Sequence, residues 1–399
     1  MPTPTIMQIV PKLDTGGAEL SAIEISEAVV RAGGRAIIAT QGGRLEASAQ
    51  KQGAEIYRFP AASKNPVCIV ANSAALARVS KEENVQLFHA RSRAPAWSAL
   101  WAARIARLPF VTTYHGAYNE NSPLKRFYNS VMARGDIVIA NSKFTADLIQ
   151  KRYQTPSDKL RVIYRGVDTA FEAAKISDKR VADLKASWGV TAGQRIILQA
   201  ARLTGWKGQR IVIEAAAQLA NMGKLEDVVF ILAGDSQGRE AYRHDLENLI
   251  VQLDVQRHVK LVGHVSDIAA AFAAAHLSVV ASTEPEAFGR AGAEAQALGC
   301  LVIATRLGAP QETVLALPEV ARDERTGWLV EAGNAEALAA AFTEALTLSQ
   351  EERSNMGKRA IRHVHTHYAL EQMKRKTLEI YDQLLRTNLA DNFDSASKL

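Results

Sequence analysis

The chain has 399 residues, 47% hydrophobic and 23% charged, with 48 Lys and Arg against 42 Asp and Glu. That length predicts two or three domains, and the composition excludes a disordered, collagen-like or low-complexity polymer. Charge is uneven: residues 1–170 hold 22 basic against 13 acidic side chains, a net of +9, while residues 171–399 hold 26 against 29, a net of −3.

Short β-rich runs come first at Ile6–Val10, Arg35–Thr40, Glu55–Phe59, Gln86–His89, Phe110–Tyr114, Asp136–Ala140 and Leu160–Tyr164. Amphipathic stretches such as Ala18–Ala32 and Ala94–Arg107 lie between them and predict helices. A polar stretch, Val167–Gly193, breaks the rhythm, with a short helix expected at Val181–Trp188. The pattern then restarts with Arg195–Ala201, Val228–Ala233, Val259–Val262, Leu277–Ala281, Leu301–Thr305 and Trp328–Glu331, and a last strong helix is expected at Tyr368–Arg386. Apolar strands without alternation, separated by helices, predict parallel sheets covered on both faces. The expected architecture is therefore α/β, with two doubly wound Rossmann-like domains at 1–170 and 171–366, a helix at 367–388 and a disordered tail from Thr387, its domain-free part at 389–399.

Two cysteines, Cys68 and Cys300, build neither a disulfide framework nor a cysteine zinc site, and suit a reducing compartment. Residues 1–20 lack a secretory pattern and no run reaches about 18 apolar residues, so the expected location is cytoplasmic. Metal sites are not expected. The sequence has no Asp-x-Asp or His-Glu-x-x-His, and the cluster His363, His365 and His367 is read as packing at a helix start.

Four segments carry chemistry. Leu13 to Glu19 places Gly16 and Gly17 between the first strand and first helix, where backbone amides and a helix N-terminus would favour a phosphate; a tight turn requiring positive φ would use the same residues. His115 and Gly116 follow the strand ending at Tyr114, at the edge where parallel sheets bind ligands, as a hydrogen-bonding imidazole or as an ordinary loop histidine. Arg202 and Lys207, with Gly205 and Gly208, form either a diphosphate clamp or a solvated basic loop. The most specific segment runs from Glu284 to Ala295. Glu286 is expected on the loop and Glu294 two turns into the following helix, with amides near Phe288 and Gly289 between the two carboxylates. Carboxylates suit sugar hydroxyls and amides suit phosphates.

Together these segments resemble the retaining, nucleotide-sugar-dependent glycosyltransferases of family 4, whose fold is GT-B. Glu286 and Glu294 match that family's E-x7-E signature, Gly16-Gly17-Ala18-Glu19 its Gly-Gly loop, Tyr114-His115-Gly116 its His-Gly loop, and Arg202 with Lys207-Gly208 its cationic pair. The resemblance runs from about residue 5 to residue 386. It implies two domains facing a cleft, a final helix crossing back to the first domain, a nucleotide-sugar donor as substrate, and no metal or other cofactor. By residue, it implies that Arg202 and Lys207 neutralise the diphosphate and that Gly16 and Gly17 approach donor phosphates or sugar. It also implies that His115 meets the donor sugar, that Glu286 with the Phe288 and Gly289 amides holds sugar hydroxyls, and that Glu294 binds the ribose. Two departures stand out: Arg165 replaces the usual Asn before Gly166-Val167-Asp168, and Gly308-Ala309 replaces a usual Gly-Gly.

The basic first half points to an anionic, lipid-linked or glycan acceptor at a membrane surface, not to nucleic acid, because no aromatic-rich RNA motif is present. Lys125, Arg126 and Phe127 are the expected peripheral contact on the inner face of the plasma membrane. Trp97 and Trp101, four residues apart, fit a core face as well as a membrane face. The expected activity is hexosyl transfer in cell-envelope glycan synthesis, with lipopolysaccharide core mannosyl- and glucosyltransferases as the nearest resemblance. A nucleotide-sugar epimerase of the same fold and a non-catalytic nucleotide-sugar-binding protein are the competing readings.

Overall fold

The computed structural model describes residues 3–14, 16–168 and 176–396. The chain divides into two compact units, Met1–Gly166 with Glu371–Leu399, and Val167–Leu370.

The first unit carries a seven-stranded parallel sheet of β1 (Thr5–Ile9), β2 (Arg35–Thr40), β3 (Glu55–Arg58), β4 (Leu87–Ala90), β5 (Phe110–Tyr114), β6 (Ile137–Ala140) and β7 (Leu160–Val162), in the order β3-β2-β1-β4-β5-β6-β7. The second carries a six-stranded parallel sheet of β8 (Arg195–Ala200), β9 (Val228–Ala233), β10 (Val259–Gly263), β11 (Leu277–Val280), β12 (Leu301–Thr305) and β13 (Gly327–Val330), in the order β10-β9-β8-β11-β12-β13. All thirteen expected strands form. The reason is visible in burial: every residue of β1, β5, β9 and β12 is buried, so both faces of these strands are covered, and their few polar side chains, Gln8, Thr112 and Thr113 among them, are buried with the apolar ones.

In each sheet the strand order reverses once, between β1 and β4 in the first and between β8 and β11 in the second. Chains leave the two central strands in opposite directions there, which opens a crevice at their carboxyl ends. Aromatic side chains fill the layers behind the sheets, including Phe88, Phe110 and Trp97 in the first unit, and the edge-to-face pair Phe230 and Phe342 in the second.

The helix Leu370–Leu385 belongs almost wholly to the first unit. Lys374 Nζ lies 2.7 Å from Glu27 Oε2, Glu371 pairs with Arg31, and the Tyr381 hydroxyl lies 2.6 Å from His89 Nδ1 in the core.

Three expectations need correction. The tail is not disordered within the described residues: Leu389–Ala396 is a helix. Asp382 caps it, accepting hydrogen bonds from the Leu389 and Ala390 amides at 2.7 and 2.9 Å. Phe393 is buried beneath the Arg31 guanidinium, 3.6 Å from its ring centroid. Second, His363, His365 and His367 end the helix Gln350–His367 and do not start one. Burial holds His363 below the usual histidine range, with the neighbouring His367 adding to the effect. Third, the break after the first sheet contains a longer helix than expected, Asp178–Ser187, while residues 169–175 of that stretch lie outside the described residues.

Phe393→Ala should destabilise the first unit by about 3 kcal/mol, the cost of emptying a buried aromatic site. Urea unfolding monitored by hydrogen exchange in the helix Gly17–Arg31 reads this directly. An unchanged midpoint would show that the tail helix contributes nothing to that unit.

Candidate active site

In the second unit, the loops after β8 and β11 meet at the point where the strand order reverses. After β8 the chain makes a 3-10 turn at Gly205–Lys207 and enters the helix Gln209–Asn221 through Gly208, at φ +72°. A Cβ on Gly208 would sit 1.9 Å from the Ala281 carbonyl oxygen. Only glycine allows the turn to press against the end of β11. This approach brings Lys207 to Glu286. Lys207 Nζ pairs with Glu286 Oε1, and the Ser282 hydroxyl donates to the same oxygen at 2.6 Å. Lys207 Nζ also lies 4.2 Å from the Trp206 ring centroid, a cation–π arrangement. Gln199 on β8 donates from Nε2 to the Lys207 carbonyl at 2.7 Å, fixing the turn from below.

Glu286 is 8% exposed, so it is a held carboxylate and not a solvated one. Its backbone bridges to Gly308, at φ +81°, where a Cβ would lie 2.4 Å from the Glu286 carbonyl oxygen. The Ala309 amide donates to that carbonyl at 2.9 Å. The Gly308-Ala309 pair therefore supports the glutamate loop through backbone, and its second residue needs no glycine freedom. Phe288 is buried with its ring edge-to-face against Tyr368, centroids 5.6 Å apart. Gly289, at φ +76°, is the N-cap of the helix Arg290–Ala297, whose first turn has no side-chain cap. The Gly292 amide turns back to the Gly289 carbonyl at 3.0 Å.

The spacing expected for Glu294 is corrected. The helix begins only at Arg290, so Glu294 lies about one turn inside it and not two. The preceding residues spend their length on the loop. Glu294 Oε1 accepts from Arg290 Nε at 2.5 Å, an ion pair along the helix. Arg202 is exposed and its side chain has no partner among the described residues, whereas Lys207 is paired with Glu286. Ser282, Gln199 and Trp206 were not singled out by the sequence. A hydroxyl four residues before Glu286 was the available signal.

In the first unit, Gly16 is the N-cap of the helix Gly17–Arg31 with φ −171°. That is extended backbone, so positive φ does not explain this glycine. A Cβ there would instead meet the Glu19 carboxylate at 2.2 Å. Gly17 faces open space. His115 follows β5, with Nε2 buried and unpartnered. Burial, then the charges of Arg91 and Arg165, hold its imidazole well below the usual histidine range. It is neutral at pH 7, fit to exchange a hydrogen bond with a hydroxyl and unfit to carry charge. His89, sealed between Tyr381 and Thr113, is depressed likewise, chiefly by burial.

Lys125, Arg126 and Phe127 lie on the short helix Pro123–Asn129, begun by Ser122, whose hydroxyl accepts from the Lys125 amide at 3.2 Å. Phe127 is 58% exposed and Leu124 82% exposed, whereas Trp97 is buried and stacks obliquely beneath Phe127 with centroids 5.2 Å apart. Trp97 is therefore core, while Trp101 is exposed.

Both depressed histidines bind protons in the unfolded chain near pH 6.5 but not in the native state. Below about pH 6.5 the unfolded state binds more protons, so stability falls as pH drops; above about pH 7.5 this contribution is flat. Urea unfolding at pH 7.5 and 5.5 should show the fall, and His115→Asn should remove part of it. An identical fall in the variant would mean that His115 titrates normally.

A family model described as Glycosyltransferase Family 4 matches residues 15–171, and one described as Glycosyl transferases group 1 matches residues 181–363. A solved glycosyltransferase from Rickettsia africae is 33% identical, with a TM-score of 0.87 over 97% of this chain and 100% of that one. N-acetyl-alpha-D-glucosaminyl L-malate synthase of Bacillus anthracis is 25% identical over 78% of each chain. D-inositol 3-phosphate glycosyltransferase of Corynebacterium efficiens is 28% identical over 57% of this chain, and the match spans 52% of that relative's length. Two Rossmann-like units, a glutamate loop held at the second sheet's crevice and these matches lead to one conclusion: the chain belongs to the family 4 glycosyltransferases, with the GT-B fold.

Proposed function

We propose that the chain transfers a hexose, with retention, from a nucleotide-sugar to an anionic glycan or lipid-linked acceptor. The observation that carries this reading is the contact of Lys207 with Glu286 at the carboxyl ends of β8 and β11. It places a cation for phosphate and a carboxylate for hydroxyls side by side, as a sugar diphosphate requires.

In the transfer, the bond between the sugar C1 and the diphosphate oxygen breaks with its electron pair leaving on the nucleoside diphosphate, while the acceptor oxygen bonds to C1 on the same face and its proton passes to the departing diphosphate. Lys207 and Arg202 stabilise the charge that grows on the diphosphate oxygen, and the helix N-terminus at Gly289 adds to them. Glu286 orients hydroxyls, Glu294 is assigned to the ribose, and Gly16 and Gly17 offer backbone amides. His115, being neutral, takes a sugar hydroxyl. No step in this scheme draws on a metal ion or other cofactor. Relatives named for D-inositol 3-phosphate and L-malate act on anionic acceptors, which agrees with the +9 charge of residues 1–170. The segments Tyr164 to Asp168 and Gly308 to Thr313 resemble those of lipopolysaccharide core enzymes, so a cell-envelope glycan is the proposed product.

No helix among the described residues is long and apolar enough to cross a membrane. Exposed Leu124 and Phe127 beside Lys125 and Arg126 fit peripheral contact with an anionic bilayer.

Lys207→Ala and Glu286→Ala should each lower transfer by about 10²–10³-fold with the fold retained. A thermal-shift panel of UDP, GDP and ADP sugars, followed by a donor-only incubation, identifies the donor and separates transfer from epimerisation. Undiminished turnover in both variants would remove this site. Flotation with anionic liposomes should recover wild type but not a Lys125/Arg126/Phe127 triple alanine variant. Equal recovery would exclude that helix as the membrane contact.

A further inference from the structure

Two arginines are buried at the carboxyl edge of the first sheet. Arg91 directly follows β4 and is 3% exposed; Arg165 lies three residues beyond β7 and is 4% exposed. Both are held against the helix Gly17–Arg31. Arg91 Nε donates to Gln8 Oε1 at 2.7 Å, and Gln8 Nε2 in turn donates to the Ala22 carbonyl and the Ser26 hydroxyl, each at 2.7 Å. Arg165 reaches the same helix at Glu24, with Nη1 and Nη2 at 2.6 and 2.9 Å from the two carboxylate oxygens. Arg165 Nη1 also donates to the Gly166 carbonyl at 3.1 Å.

Charge is not balanced here. Glu24 answers Arg165, but no carboxylate among the described residues pairs with Arg91. Three nitrogens are buried without a partner: Arg91 Nη2, Arg165 Nε and His115 Nε2. Burial, with the repulsion of Arg165 adding to it, brings Arg91 down to about 10, and Tyr381 and Glu24 only partly offset this. A buried guanidinium left without a counter-charge is strongly unfavourable, and unpaired donors add their own desolvation cost. An oxyanion answers both deficits, because guanidinium forks match phosphoryl and carboxyl geometry.

We propose that Arg91 and Arg165 form a binding site for an oxyanion, a phosphoryl or carboxyl group, carried by the acceptor. The word acceptor rests on the function proposed above; the anion site itself does not. Arg165 stands where the resembling family usually has Asn, and a second guanidinium there suits an acceptor with more negative charge than that Asn would.

Inorganic phosphate and, separately, succinate should be titrated into the full chain and followed by thermal midpoint and, for phosphate, ³¹P line width. Phosphate also stabilises folded proteins by exclusion, so the readout is the difference between wild type and variant. The expected result is saturable binding of at least one of the two anions, at least tenfold weaker in Arg165→Asn and retained in Arg165→Lys, with the UDP response of the variants equal to wild type. Whichever anion binds more tightly assigns the acceptor's group as phosphoryl or carboxyl. Near-UV circular dichroism of Arg165→Asn confirms an intact fold, and Arg91→Lys provides a second substitution that keeps the charge. Equal anion binding by wild type and Arg165→Asn would overturn the proposal, as would anion binding lost in Lys207→Ala and displaced by UDP. A wild type that binds anion through Arg165 but answers no nucleotide would uphold this site and remove the proposed donor reading.

Discussion

The second unit depends on one close approach. Gly208 lies so near the Ala281 carbonyl that the β8 loop and the β11 loop become one surface. Everything else at that edge follows from it: the 3-10 turn is pinned, Lys207 has one direction to point, and Glu286 is the group it meets. The carboxylate is then secured from the other side by the Gly308 backbone. Two glycines far apart in sequence thus set the position of an acid that neither touches through a side chain. Site precision here is a matter of backbone contact before it is a matter of charge.

The first unit solves a different problem. Its edge buries two guanidiniums, the His89 imidazole and a glutamine among the strands, with the imidazole of His115 partly covered beside them, which a core avoids unless those groups are held for a reason. The helix Gly17–Arg31 and the returning helix Leu370–Leu385 supply the restraints: Gln8 is fixed on the former, and Tyr381 brings its hydroxyl from the latter to His89. The final helix is therefore part of the polar interior of that unit as well as its cover. Its sequence shows an amphipathic stripe, while its contacts combine the Tyr381 phenol in the interior with the Lys374 and Glu371 ion pairs to Glu27 and Arg31.

The strand framework was legible because a doubly covered sheet demands mostly apolar residues at consecutive positions, as Val228–Ala233 of β9 and Leu301–Ala304 of β12 show; β1 and β5 carry the same signal broken by Gln8 and by Thr112 and Thr113. Glu286 was legible because its loop carries a dense motif. The ion pair of Glu286 with Lys207 was not, since it joins positions 79 residues apart through a turn whose direction depends on Gly208. Glu294 was misplaced because the helix start was assumed to precede Gly289, and only the left-handed cap shows otherwise. The tail was misread because Leu389, Ala390 and Phe393 are a weak apolar signal among polar neighbours, while the Asp382 cap that stabilises their helix lies in the preceding helix. The burial of Arg91 and Arg165 was not legible for the same reason: it depends on two strands and a helix that only the folded chain brings together.

Trp206 gives the Lys207 contact an optical side. An ammonium group held 4.2 Å over an indole face perturbs the excited state of that ring, so the emission colour of this tryptophan is tied to where the lysine sits. Any anion that draws Lys207 away from the ring changes the local field on the fluorophore. Trp206 is therefore an unlabelled spectroscopic probe of any change in the position of Lys207.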